Sequence, residues 1–396
     1  MTVLVEVHIL QNHAPSNLNR DDTGSPKEAI FGGYKRARIS SQCLKRSIRR
    51  SAIFRETFEG SLGTRTRSLP ELVRNRLLEM GIDEEMAKIG AQKTSGFGNK
   101  DGTEQAANES GYYRTAQTMF LSKMDVQIVS DVLAEAAREA GNPKAFEKLK
   151  AKDLQKKAED KGLRPIVVDI ALFGRMVTSE AFLDVEASCQ CAHAISTHKV
   201  DHEFDYYTAI DDLERSSDDE TGLGADMIGD IEFNSACYYK YFNIHVDGLV
   251  DNLTGKAFRR EVSAQEEKDA LETATKAIKA LIEAACSVSP SGKQNTFAAH
   301  QRPGLVWVEI RENNLPVSYA NAFSFPINPK SRDGLETESA RKLKEECESL
   351  TEMYALKARK RLLLSRNKDI EILGVPSEKN LVCLLEQLEA AVIQGD

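Results

Sequence analysis

The sequence predicts an α+β protein, because strand patterns and helix patterns occupy different stretches of it. Thr2–Leu10 sets Val3, Val5, Val7 and Ile9 on one face at period two, with Glu6 and His8 on the other. From about Thr57 to Gly162 the chain is polar and its apolar residues recur at helical spacing. Alternation then returns over Ile231–Val246 and again over Leu305–Ile310.

In order along the chain, the first strand leads into Gln11–Glu28, a loop rich in Asn, Asp, Ser, Pro and Gly that sets Arg20 beside Asp21 and Asp22. Phe31–Ile39 opens with Gly32-Gly33 and reads as a turn feeding a short strand. Ser40 or Ser41 then caps a helix running to about Ile53, with Leu44, Ile48 and Ala52 on one face. Lys45 with Arg49, and Arg46 with Arg50, are i,i+4 cation pairs on it. Helices are expected at Leu69–Met80, Met119–Ala140 and Lys144–Lys161, with a Gly/Asn/Ser-rich loop at Thr94–Gly111. The third helix bears seven lysines (144, 148, 150, 152, 156, 157 and 161) interspersed with acids, which suits a solvated face as well as a nucleic-acid contact. Pro165–Met176 reads as a buried strand, and the acidic, glycine-rich Ser216–Gly229 as a hairpin tip. Ser263 and Glu266 form a capping box whose helix turns Leu271, Ala274, Ile278, Leu281 and Ile282 to the core. Leu335–Leu362 and Ser377–Ile393 are expected to be helices.

Composition narrows the function. With 41% hydrophobic and 29% charged residues, no long apolar run and an opening segment that alternates as a strand, the 396-residue chain is expected to be soluble, without a membrane span or signal peptide. Seven cysteines, an odd number, suit reduced thiols and a cytoplasmic location. A formal net charge of -8 excludes a histone-like coat of positive charge, so any nucleic-acid surface has to be local. Such a surface is present. Ala29–Arg55 holds eight Lys or Arg and no Asp or Glu, which leaves -16 for the rest of the chain. A capped helix start within it offers free N–H groups to a phosphate.

Other constellations are weaker. Cys189-Gln-Cys191-Ala-His193 lacks the second ligand pair of a zinc site, and packed small residues are the better reading. Ser289–Gln294 resembles the end of a P-loop, but Ser287 stands where the first glycine belongs and Gln294 where Ser or Thr is needed. It remains a glycine turn that presents Lys293 to a phosphate or simply a surface turn. Asp21 and Asp22 are adjacent and so face different ways, which favours a structural role over metal binding. His13 and His198 lack a spacing that marks an acid–base pair. Tyr238, Tyr239, Tyr241 and Phe242 invite comparison with RNA-stacking strands, although adjacent residues point to opposite faces.

Six segments together carry a family resemblance: NHAPSNLNRDD, AIFGGYKRARISSQCLKRSIRRS, DIALFGRMVTS, AHAISTHKVD, DYYTAIDDL and SYANAF. They resemble CasC, the family of backbone subunits of the type I-E CRISPR Cascade, over about four-fifths of the chain. The resemblance implies an RRM-like, ferredoxin-type palm at residues 1–56, 164–201 and 234–328. A helical fingers insertion would occupy 57–163, a β-hairpin thumb 202–233, and a C-terminal helical part 329–396. It implies a non-catalytic scaffold without cofactor or metal that polymerises head to tail on crRNA. Its partners would be crRNA, the target DNA paired to it, further copies of the chain and the large, small, 5′-end-capping and crRNA-processing subunits.

By position, the resemblance assigns Arg20, Ser40, Gln42 and Lys45 to the crRNA backbone, and Arg49 where relatives carry Lys. Met176 matches a methionine wedged against bases, and Lys27 and Lys293 match phosphate contacts. Tyr206, Tyr207 and Thr208 fall at the thumb base. The thumb is longer and more acidic than the family pattern, with Asp218, Asp219 and Glu220. The competing expectation is a metal-dependent endoribonuclease using Asp21 or Asp22, because related type III subunits cut target RNA with an aspartate.

Overall fold

The computed structural model describes residues 2–161, 166–209 and 227–393. The chain is mixed α and β, divided into two compact units. One comprises residues 1–54, 190–244 and 278–396; the other comprises 55–189 and 245–277. The strands are β1 (Leu4–Ser16), β2 (Glu28–Phe31), β3 (Tyr34–Ile39), β4 (Thr64–Thr66), β5 (Met119–Leu121), β6 (Cys189–Cys191), β7 (Ala194–Ser196), β8 (Glu203–Ala209), β9 (Met227–His245), β10 (Leu305–Arg311) and β11 (Lys360–Ser365). The helices that matter below are α1 (Ser41–Arg49), α2 (Ala52–Thr57), α3 (Leu69–Glu79), α4 (Glu84–Ser95), α5 (Lys123–Ala140), α6 (Pro143–Glu147), α7 (Ala151–Asp160), α8 (Val168–Phe173), α9 (Val246–Thr254) and α10 (Ala264–Ser287).

The first unit is built on a sheet ordered β11-β10-β1-β9-β7-β3-β2, with β6 and β8 both pairing to β9 off this path. β1 and β10 are antiparallel from Leu4↔Arg311 to Leu10↔Leu305. The period-two pattern of β1 is real, but both of its faces are buried. Glu6 and His8 are fully covered, and the residues that cover them come from β9 and from the stretch around residues 309–319. Glu6 accepts from the Tyr241 hydroxyl (2.6 Å), the Val317 amide (2.7 Å) and Arg311 Nε (2.5 Å). Glu309 accepts from Arg311 (2.8 Å), the Tyr319 hydroxyl (2.5 Å) and Arg361 (3.0 Å). Both buried carboxyls are therefore satisfied, as their burial demands. The four aromatics of β9 that the sequence singled out are buried as well, Tyr238, Tyr239, Tyr241 and Phe242 being at most 7% exposed. They are core and cannot stack bases.

The second unit packs α3, α4, α5, α6 and α7 around Leu69, Val73, Leu77, Phe97, Val129, Leu133, Phe146 and Leu154. Several expected elements differ in detail. Met119 starts β5, and the helix begins only at the Ser122–Asp125 capping box. The lysine-rich stretch breaks into α6 and α7. The buried strand expected at 165–176 is instead the helix α8, ended by Gly174 at φ 76°. A short apolar run does not distinguish the two by periodicity. In the first unit the helix expected to reach Leu362 stops at Tyr354, and Lys360–Ser365 joins the sheet as β11.

Candidate nucleic-acid interface

The basic stretch folds as the hairpin β2–β3 followed by α1 in the first unit. Gly32 and Gly33, both at positive φ, turn the hairpin between Phe31 and Tyr34. Ser40 is the N-cap of α1, its Oγ accepting from Cys43 N at 3.3 Å. Its own amide donates to Asn19 Oδ1 at 2.8 Å, which ties the helix start to the Arg20 loop. Leu44 and Ile48 bury the inner face of α1. The helix breaks at Arg50, so Ala52, expected on that face, is exposed and belongs to α2.

Three of the eight cations are structural. Arg36 is fully buried and donates to the carbonyls of Ser196, Phe323 and Ser324. Arg38 donates to Glu28 O and meets His193, and Lys35 pairs with Glu28. Others face outward. Among the described residues no carboxylate pairs with Arg20, Lys27, Lys45, Arg46 or Lys293.

These cations are brought together. A cleft of about 510 Å³ is lined by Leu18–Gly24, by Cys43, Arg46 and Ser47 of α1, and by Ser291 and Gly292. A side chain at Gly292 would lie 2.5 Å from the carbonyls of Asn17 and Leu18, so glycine lets the turn that carries Lys293 pack onto this loop. Lys293 itself sits at φ 48°. Burial, with the positive charges of Arg38, Lys27 and Lys45, holds His193 below the ordinary histidine range. Those three cations thus converge on one place.

The structure gathers Arg20, Lys27, Ser40 and Lys45 around the start of α1, with Gln42 exposed on its first turn and Arg49 half-buried on its last. Tyr207 and Thr208 lie on the β8–β9 arm, where the Tyr207 ring covers Gly229 and leaves Tyr206 75% exposed. Met176 belongs to the second unit and is 92% exposed after α8. Residues 210–226, which include Asp218, Asp219, Glu220 and most of the expected hairpin tip, lie outside the described residues.

Sequence reasoning did not assign Arg46 or Asn19. Arg46 was visible as one of the i,i+4 cations, but the hydrogen bond of Asn19 across twenty-one residues left no local signal. Asp21 Oδ1 accepts from Thr23 N, Thr23 Oγ1 and Ser25 N at 2.8–3.0 Å, which lowers its pKa and fixes it as a loop brace. Burial pushes His13 down to about 3 and His198 to about 4, so both are neutral and enclosed. Cys191 contacts Ser41 O, and burial raises its thiol to about 12. Among the described residues no three His, Cys, Asp or Glu side chains are placed to hold a metal. Nor is any helix among them long and apolar enough to cross a membrane.

A search of curated proteins gave no match. Among solved structures, a chain of a CRISPR RNA-guided surveillance complex, pre-nicking, is 27% identical with a TM-score of 0.77, over 98% of this chain and 100% of that one. A chain of another CRISPR RNA-guided surveillance complex is 24% identical with a TM-score of 0.69, over 98% and 99%, a likeness of fold. The family model described as CT1975-like protein matches residues 5–386. The chain belongs to the CT1975-like protein family.

Proposed function

We propose that this chain is a non-catalytic backbone subunit of a CRISPR RNA-guided surveillance complex, of the type I-E kind, which binds the backbone of the guide RNA. One observation carries the reading: Arg20, Lys27, Lys45, Arg46 and Lys293 have no carboxylate partner among the described residues of a chain with net charge -8, and Arg20, Lys27 and Lys45 gather at a capped helix start. A local cluster of such cations on an acidic protein makes a surface that attracts an external polyanion. The similarity to a chain of a CRISPR RNA-guided surveillance complex favours guide RNA as that polyanion. Phosphate contacts hold a guide whatever its spacer sequence and leave its bases free to pair.

In this reading the first unit is the palm, residues 57–163 of the second supply the fingers, and the β8–β9 arm is the thumb. The sheet order supports the palm. β10-β1-β9-β7 is the 4-1-3-2 order of a ferredoxin-type sheet, with α1 between its first two strands and α10 between its last two. Exposed Met176, Tyr206 and Thr208 would meet displaced bases, and copies would follow one another along the RNA beside the other subunits and the target DNA.

The test is binding to labelled single-stranded RNAs of unrelated sequence, with and without Mg²⁺. Lys45→Ala combined with Arg49→Ala should weaken binding to all of them by on the order of tenfold or more, and the RNA should stay intact. Mg²⁺-dependent cleavage abolished by Asp21→Ala or Asp22→Ala would replace the scaffold by the endoribonuclease.

A further inference from the structure

β8 has one strand partner among the described residues, β9, with which it pairs from Glu203↔Phe233 to Ala209↔Met227. An isolated two-stranded ribbon is marginally stable in water, so its direction depends on how its base is held. At that base stands His202, its side chain 13% exposed. Its Nδ1 bonds to the carboxylate of Glu232 on β9. Its Nε2 lies 2.6 Å from Oε1 of Glu28 on β2, an ion-pair separation without in-line hydrogen-bond geometry. The same Glu232 is the junction with the Arg20 loop. Asn17 Nδ2 donates to Glu232 O at 2.8 Å and to Gly24 O at 2.9 Å. Burial works to raise the Glu232 carboxyl, yet hydrogen bonds from Ser25 and His202 leave it lowered.

The ring lies between carboxylates. Glu28 and Glu232 face its two nitrogens, and Asp21 adds a third negative charge that acts on Glu232. Lys35 of β3 pairs with Glu28 at 3.2 Å and Arg38 donates to the Glu28 carbonyl at 2.9 Å, while neighbouring Lys199 and Asp201 satisfy each other at 3.1 Å. A neutral imidazole has one N–H and would turn a lone pair on one of the two carboxylates. The imidazolium has an N–H for each.

We propose that His202 is a positioning residue whose protonated ring clamps the β8–β9 arm to β2 and to the Arg20 loop, so that the hold of this chain on RNA weakens as the ring loses its proton. The link to RNA rests on the function proposed above; the clamp itself does not.

The experiment compares the wild-type chain with His202→Gln and His202→Arg across a rising pH series at fixed ionic strength. Hydrogen-exchange protection factors of residues 203–208 and 229–233 are read without RNA, and the affinity for a labelled single-stranded RNA is read in parallel. Wild-type protection should fall on the order of tenfold across this range. It should be low and flat in the glutamine variant and high and flat in the arginine variant, with RNA affinity following. A wild-type protection profile parallel to that of His202→Gln overturns the clamp. Protection that titrates while RNA affinity does not overturns its link to RNA. Absence of RNA binding at every pH, with protection still titrating, removes the RNA reading and leaves the clamp standing.

Discussion

Gly32 lies so close to Ser324 that a Cβ placed on it would be 1.7 Å from the Ser324 carbonyl oxygen, and its φ is 59°. The hairpin that leads into α1 therefore depends on the absence of one methyl group. Beside it, buried Arg36 donates to the carbonyls of Phe323 and Ser324, so the same close approach is held by a guanidinium. Gly32→Ala should cost more than about 2 kcal/mol, combining positive-φ strain with overlap against backbone. Trp307, the single tryptophan, is fully buried in the first unit, and its fluorescence during urea unfolding reads this loss directly. Gly33, with open space at its Cβ, should tolerate alanine better, bearing the conformational strain alone. Single residues also divide the positive charge. Arg36, Arg38 and Lys35 build the fold, whereas Arg20, Lys45 and Arg46 have no carboxylate partner among the described residues. The sequence shows the five from Lys35 to Arg46 as one run of charge, with Arg20 in the loop before it, and contains nothing that separates the two groups. Only the carbonyls and carboxylates brought in from residues 28, 196, 323 and 324 do so.

At the scale of elements, α1 joins stability to function. Its Ser40 side chain satisfies one helix-start amide while the Ser40 amide is satisfied by Asn19. Ser40→Ala should cost about 1 kcal/mol in the same unfolding measurement and weaken RNA binding, and Ser40→Thr should recover most of both. This helix was legible beforehand because its signals are local: a cap, a period and a charge run. So were β10, most of β9 and the Ser263–Glu266 capping box, whose hydrogen bonds are formed at 2.9 and 3.3 Å. Elements whose identity depends on distant partners were not legible. Ile166–Leu172 is apolar enough for either element, and α8 is fixed by what surrounds it, including Asp169 accepting from the Gly63 amide. β11 has nothing in its own sequence to announce a sheet edge; it is a strand because it pairs with β10. The polar face of β1 was visible as Glu6 and His8. That it is buried under Arg311, Tyr319 and Tyr241 was not, since periodicity identifies a face without identifying its cover.

For the molecule as a whole, segregation of charge is the organising physical fact. An acidic chain with a local cluster of unpaired cations should bind a polyanion strongly at low salt and repel it elsewhere, which confines RNA to one track. The site was half legible for that reason. Arg20, Ser40, Lys45 and Lys293 are findable in the sequence, but their convergence needs the loop at 17–24, α1 and the turn at 291–293 to meet, and those stretches are separated by most of the chain. The most direct measurement is the slope of log affinity against log salt concentration for single-stranded RNA, for the wild-type chain and for Lys45→Ala with Arg49→Ala. Backbone recognition predicts a steep negative slope that becomes shallower by about 0.7 for each phosphate contact removed, with no dependence on RNA sequence. An unchanged affinity and slope in the double variant would contradict it.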